Sequence, residues 1–157
     1  MFENTYKVLN EYGNRLVELY KKELTEGNIN ASYDLYNSVR SIFDDNGKSF
    51  EIKLELEDYW KYIENGRKAG KFPPIDAIEK WIEIKPVIPY PLKNGKLPTP
   101  PQLAYLIARK IGLEGIEPKP ILQKSVDEIM EDIYKDIENA LYKDFEKEIG
   151  FALERLV

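Results

Sequence analysis

The chain contains no cysteine and no histidine. The first absence excludes disulfides and thiolate chemistry, and the second excludes imidazole bases. Together they exclude zinc fingers and every His-based triad or metal set. An oxygen-only metal site stays open in principle, but no acidic cluster has EF-hand spacing. General acid–base work would rest on carboxylates, lysines and tyrosines alone. The expectation is therefore a protein that is not an enzyme and holds neither cofactor nor metal. A third absence is any apolar run of membrane-spanning length, and Met1-Phe2-Glu3-Asn4 carries no basic n-region and no h-region. This predicts no membrane contact and a cytoplasm-like compartment until the protein is assembled into something.

What is present is enough for a core. In 157 residues, 43% are hydrophobic and 12% aromatic, which excludes general disorder and predicts a single domain over 1–157. The net charge of −5 hides a segregation. Residues 1–60 hold 7 Lys/Arg against 12 Asp/Glu, residues 61–120 hold 11 against 6, and residues 121–157 hold 5 against 10. Alternating acidic and basic segments suit subunits that meet head to tail. They equally suit one domain whose own segments pair by charge.

Phe2, Tyr6, Leu9, Gly13, Leu16, Tyr20 and Leu24 recur at steps of three and four, predicting a helix over 1–26 that ends before Gly27. Asp44-Asp45-Asn46-Gly47 is a turn signal. After it, Phe50, Ile52, Leu54 and Leu56 alternate with Glu51, Lys53, Glu55 and Glu57, which predicts a strand with one wet face. With 39–43 it forms a β-hairpin, and Asp58-Tyr59-Trp60 is read as carrying that strand onward. Two strands make a marginal sheet, so pairing with a further strand or a neighbouring subunit is expected.

Residues 59–82 are the densest part of the chain: Tyr59-Trp60-Lys61-Tyr62-Ile63-Glu64-Asn65-Gly66-Arg67-Lys68-Ala69-Gly70-Lys71-Phe72-Pro73-Pro74, then a helix with Ile75, Ile78, Trp81 and Ile82 on one face. Gly66 and Gly70 permit a reversal, Pro74 suits a helix start, and Pro86 stops the helix near Lys85. Arg67, Lys68 and Lys71 on this loop are candidate contacts for DNA phosphates or for an acidic neighbouring subunit. The loop is not a P-loop, since it lacks the four-residue gap and the following Ser or Thr. The plainer reading, a solvated turn with three cations, stands first. Tyr59, Trp60, Tyr62 and Trp81 are read as core aromatics between sheet and helix, with Trp60 alternatively an interface anchor.

Residues 85–98 contain Pro86, Pro89, Pro91 and Pro98 and the turn Lys93-Asn94-Gly95-Lys96. They read as a surface loop packed by Val87, Ile88, Tyr90 and Leu92, ahead of a dedicated binding arm. Thr99-Pro100-Pro101-Gln102 is a capping box with proline at the helix start. It opens a helix striped by Leu103, Leu106, Ile107 and Ile111 that Gly112 is expected to end. From Gln123 onward the chain reads as one long helix, or two broken near Gly150. Its apolar positions are 126, 130, 133, 137, 141, 145, 149, 153 and 156, a step of about 3.75 residues. Tyr134, Tyr142 and Phe151 lie off that stripe.

Two blocks carry a resemblance. The first is aromatic-x-x-Tyr62-Ile63-Glu64-x-Gly66-Arg67, then Gly70-Lys71-x-Pro73-Pro74 and Ile78-x-x-Trp81. The second is Leu103-Ala104-Tyr105-Leu106-Ile107-Ala108-Arg109-Lys110-Ile111, left through Glu114-Gly115-Ile116 and Pro118-Lys119-Pro120-Ile121-Leu122. In this order they resemble neck and tail-completion proteins of tailed bacteriophages, with 30–122 as a connector-like α+β core and 123–157 as a helical extension. The resemblance implies an α+β fold, a small antiparallel sheet flanked by helices with a long C-terminal helix. It also implies a virion protein, made in the host bacterial cytoplasm, that forms a ring of copies at the head–tail junction. Its partners would be a portal or adaptor protein, tail proteins and, non-specifically, DNA in the channel. Two other classes stay open: a soluble interaction or regulatory module acting through the long acidic helix, and a small hydrolase using Glu64 and Asp76 beside the basic loop.

Overall fold

The computed structural model describes residues 2–29, 33–45, 49–85 and 87–155. The fold is α+β. Among the described residues the order is α1 (Glu3–Glu26), α2 (Asp34–Ser38), β1 (Arg40–Asp45), β2 (Phe50–Glu55), α3 (Trp60–Asn65), α4 (Ile75–Ile84), α5 (Pro100–Glu114) and α6 (Ile121–Glu154). These elements divide into two compact units. One comprises Met1–Asn28, Ser38–Glu57 and Ile121–Val157, the other Ile29–Asn37 and Asp58–Pro120. The segment 30–122, which reads as one core in the sequence, thus contributes to both.

In the first unit α1 and α6 run antiparallel. Glu23 meets Lys124, Arg15 meets Asp132, Tyr12 meets Asp136, and Asn4 and Thr5 meet Asp144, so the partner number rises as the α1 number falls. Tyr12, Leu16 and Ile129 form the buried centre, joined by Val8, Leu19, Ile52, Leu54, Val126 and Ile133. The β-hairpin lies on α1. It approaches so closely at Gly13 that a Cβ there would stand 3.1 Å from the Cβ of Ser41. Register runs from Arg40↔Glu55 to Asp45↔Phe50. Phe50, Ile52 and Leu54 are half-buried and Glu51, Lys53 and Glu55 exposed, the alternation that a one-sided strand requires. On the wet face Arg40 pairs with Glu55 and Lys53 with Asp44. Packing on α1 supplies the hydrophobic backing a two-stranded sheet needs.

Two expectations fail here for physical reasons, the second of them in part. The second strand does not run into Tyr59-Trp60. It ends at Glu55, where its partner β1 begins, and the Glu57 N–H then donates to Ser38 Oγ at 3.2 Å. Asp58 and Tyr59 turn, and Trp60 opens α3. On α6 the fully buried positions are Ile121, Ser125, Ile129, Ala140 and Asp144; of the expected stripe, Val126, Ile133, Ile137 and Leu141 are half-buried, with Val126 and Ile133 against the core cluster. Met130, Phe145, Ile149 and Leu153 on that stripe are exposed. The helix also continues unbroken through Gly150. The burial of Asp144 in place of an apolar residue follows from α1, whose first-turn N–H groups it accepts. The helix before Pro86 stops at Ile84 with Lys85 as its C-cap, as expected; Asn46-Gly47, Pro86 itself and stripe position 156 lie outside the described residues.

In the second unit α4 packs on α5. The buried side of α5 is Ala104, Ala108 and Gly112. Gly112 does not end the helix. The ring of Phe72 lies where its Cβ would be, and α5 runs on to Glu114 before Gly115 turns it at φ 81°. The capping box forms as expected, with the Thr99 N–H donating to Gln102 Oε1 at 3.0 Å. Lys85, ahead of Pro86, is extended, as the residue before a proline prefers.

Candidate functional site

The basic loop is stitched down. Arg67 and Ile116 exchange both backbone hydrogen bonds, at 2.9 and 2.8 Å, in an isolated antiparallel bridge. The Lys119 N–H donates to Ile63 O and the Gly70 N–H to Gly112 O, each at 2.8 Å. Gly66 and Gly115 flank the bridge with φ of 67° and 81°. A Cβ on Gly66 would sit 2.3 Å from Ile116 O, and one on Gly115 2.3 Å from Arg67 O. Both positions need glycine for conformation and for space.

This geometry changes what the three cations do. The N–H groups of Arg67 and Gly70 point at carbonyls around the end of α5, so they are not directed at an anion. The Arg67 guanidinium donates through Nη2 to Lys71 O at 3.1 Å, while Lys68 and Lys71 are exposed. The last turn of α5 has no basic residue of its own, and the loop brings cations to that negative helix end. The loop is therefore a backbone-fixed cap whose lysines face water, close to the plainer sequence reading.

The aromatics stand elsewhere than expected. Tyr59, Tyr62 and Trp81 are not core residues between sheet and helix: Tyr62 is 60% exposed, Tyr59 is exposed and Trp81 is 36% exposed. Trp60 is half-buried. The reason is topological, because the sheet belongs to the other unit and α3 follows a turn. Ile29, Tyr59, Tyr62, Ile63, Trp81 and Ile116 line an open cleft of about 300 Å³, together with the charged Lys85, Glu117 and Lys119. Tyr59 is fixed by the Leu35 N–H, which donates to its hydroxyl at 2.8 Å. Sequence reading missed Ile63 and Ile116 as cleft residues, since their apposition depends on the Lys119–Ile63 and Arg67–Ile116 bonds.

A second missed group holds the other unit together. No side chain caps α1 at Phe2. Asp144 of α6 does so instead, accepting from the N–H groups of Asn4 (3.0 Å) and Thr5 (2.9 Å) and from Asn4 Nδ2 and Thr5 Oγ1 at 2.8 Å each. Those are the N2 and N3 positions that a local capping residue would serve. Asp144 is 1% exposed. Burial alone would raise its pKa, but the four donors outweigh it and hold the carboxyl at about 2. Nearby, burial and then the 2.7 Å bond to Asp136 push the Tyr12 hydroxyl up to about 12. The clue in the sequence was the missing Ser, Thr, Asp or Asn before α1.

Asp76 occupies the first turn of α4, and Glu64 lies half-buried on α3. Among the described residues no group of three or more acidic side chains is placed to hold a metal, and no helix is long and apolar enough to cross a membrane. Compared with protein-family models, curated proteins and solved structures, the chain matches none of them.

Proposed function

We propose that the chain is a structural subunit of a tailed-phage neck, one copy in a ring that joins portal to tail and borders the DNA channel. It acts by shape and surface contact, without turnover chemistry. The observation that carries this reading is the Arg67–Ile116 bridge. It brings together the two sequence blocks on which the phage resemblance rests, 59–82 and 103–122, and builds from them one exposed aromatic cleft. Exposed large apolar side chains grouped in this way favour a partner surface. In particles purified from the host that carries this gene, the chain is expected as a low-copy component, located at the neck by immunogold labelling. Particles that lack it, or carry it outside the neck, overturn the proposal.

One observation favours the second reading, an interaction module working through α6. Towards its C-terminal end this helix exposes Tyr142, Ile149, Phe151 and Leu153, an apolar end on an acidic helix. Ile149→Asp with Leu153→Asp tests it. Loss of partner capture with the aromatic cleft intact would move the function to α6.

A further inference from the structure

The sequence expectation that Ile88 and Tyr90 pack a surface loop fails: they are 91% and 90% exposed. They alternate with prolines in Ile88-Pro89-Tyr90-Pro91. Each proline fixes its own φ and drives the residue before it towards extended geometry. The segment is thus stiff, extended and apolar, with little conformational entropy left to lose on binding. Its far end is tied by a turn in which the Leu92 N–H donates to Lys96 O and the Gly95 N–H to Leu92 O, each at 2.8 Å. Its near end is Lys85, the last residue before Pro86. The same unit displays the Tyr59, Tyr62, Trp81 and Ile116 cleft, and grooves walled by Tyr and Trp are the surfaces that receive proline-stiffened extended segments.

We infer that the arm 87–91 of one copy docks in the aromatic cleft of the next copy. The contact is heterologous, so each copy gives one arm and receives one, and a closed ring leaves neither half unused. This rests on the reading that copies assemble and supplies the contact between them. The run from 86 to 92 carries no charge, so Lys85 and Lys119 lining the cleft do not repel it, while Glu117 offers Lys93 a partner. A buried tyrosine, isoleucine and two prolines with their aromatic walls cover roughly 800 Å² in total, below the ~1,200 Å² of a stable pair. One such contact holds two copies weakly, and ring closure, in which contacts reinforce one another, holds many.

The test uses full-length protein. A labelled peptide of residues 87–93 is titrated by fluorescence anisotropy into the arm variant I88S/Y90S, whose own arm cannot compete for its cleft. Saturable binding is expected, weakened at least about tenfold when Y62S and W81A are added to that protein. Sedimentation velocity then follows assembly. Wild type is expected to associate as concentration rises, and the arm variant and a cleft variant (Y62S/W81A) to stay monomeric alone. Mixed, they are expected to form a pair and nothing larger. Circular dichroism guards against misfolding, and Ile88→Val, which keeps the apolar surface, is expected to retain assembly. No peptide binding, or association of wild type that the arm variant retains, overturns the inference. So does a wild type that stays monomeric while the peptide binds, because the arm then occupies its own cleft. None of these results touches the presence of the chain in virions, so the two proposals fail separately.

Discussion

The two units of this chain divide their labour by what they bury. The unit of α1, the hairpin and α6 buries Asp144 and Tyr12 with their hydrogen bonds made: Asp144 is surrounded by four donors, and Tyr12 bonds to Asp136. The unit of α3, α4 and α5 leaves Tyr62, Ile88, Tyr90 and Ile116 facing water. Their charges differ as well. The first holds 12 Lys/Arg against 20 Asp/Glu, the second 11 against 8. The buried side chains of the first unit tie α1, the hairpin and α6 together, while the second unit exposes an aromatic cleft and the Ile88–Tyr90 segment. Substitutions in the first should therefore report on stability, and those on the surface of the second on association.

The sharpest way to break the comparison is Asp144→Ala. It leaves the N–H groups of Asn4 and Thr5 and their side-chain donors without an acceptor in a buried place, at a cost of about 3 kcal/mol. A urea midpoint that barely moves would show that the N-terminus of α1 does not depend on α6. The matched substitution in the other unit, Trp81→Ala, removes a ring that is 36% exposed and is expected to cost less than half as much. Equal losses would erase the distinction between the units.

Next in size is a contrast among glycines of the second unit. Gly66→Ala drives a Cβ against the backbone oxygen of Ile116 at a positive φ and is expected to destabilise that unit by about 2–3 kcal/mol. Gly112→Ala meets only the ring of Phe72, an exposed side chain that can swing aside. It is expected to cost about 1 kcal/mol. Hydrogen exchange should show Ile116 and Lys119 deprotected in the first variant and protected in the second.

Acid provides a third test. The folded-state pKa of Asp144 is depressed, from 3.8 to about 2. Its contribution is thus complete above the ordinary carboxylate value and fades as pH falls from about 4 towards 2. The sum at stake is about 2 kcal/mol. Wild type should lose stability over that window more steeply than Asp144→Asn, as read by urea midpoints at each pH.

Much of this was legible from local pattern and little of it from distant pairing. Alternation gave β2, and the Thr99–Gln102 pair gave the start of α5, because those signals sit within a few residues of one another. The α6 stripe is right for Val126, Ile133, Ile137 and Leu141 and wrong beyond them, because Ser125 and Asp144 occupy buried positions that an apolar count passes over. The Asp144–Thr5 pair is separated by 139 positions, and no spacing rule reaches that far. Tyr59 and Trp60, aromatics of a type that favours strands, read as a continuation of β2. The absence of a partner beyond Arg40 decided otherwise. Ile88 and Tyr90 read as packed by hydrophobicity alone, a one-way rule that exposed apolar residues escape. The cleft followed from the Arg67–Ile116 bridge, which joins two blocks legible separately but not as neighbours.

The smallest effect on stability should come from the basic loop. Lys68→Glu with Lys71→Glu changes two exposed side chains, so the expected shift is within about 0.5 kcal/mol. Arg67 differs, because its guanidinium holds Lys71 O and its backbone is pinned to Ile116. Arg67→Glu removes the first tie and leaves the second. If the lysines only complement the end of α5, the double reversal leaves copy-to-copy assembly, particle yield and infectivity unchanged. If they face DNA or an acidic neighbour, infectivity falls while the thermal midpoint stays put, and the fall deepens as salt is lowered, since exposed charges act over about 10 Å at 0.1 M salt. A thermal midpoint that drops together with infectivity would instead make the loop part of what holds the second unit together, and would blur the division between holding and contacting.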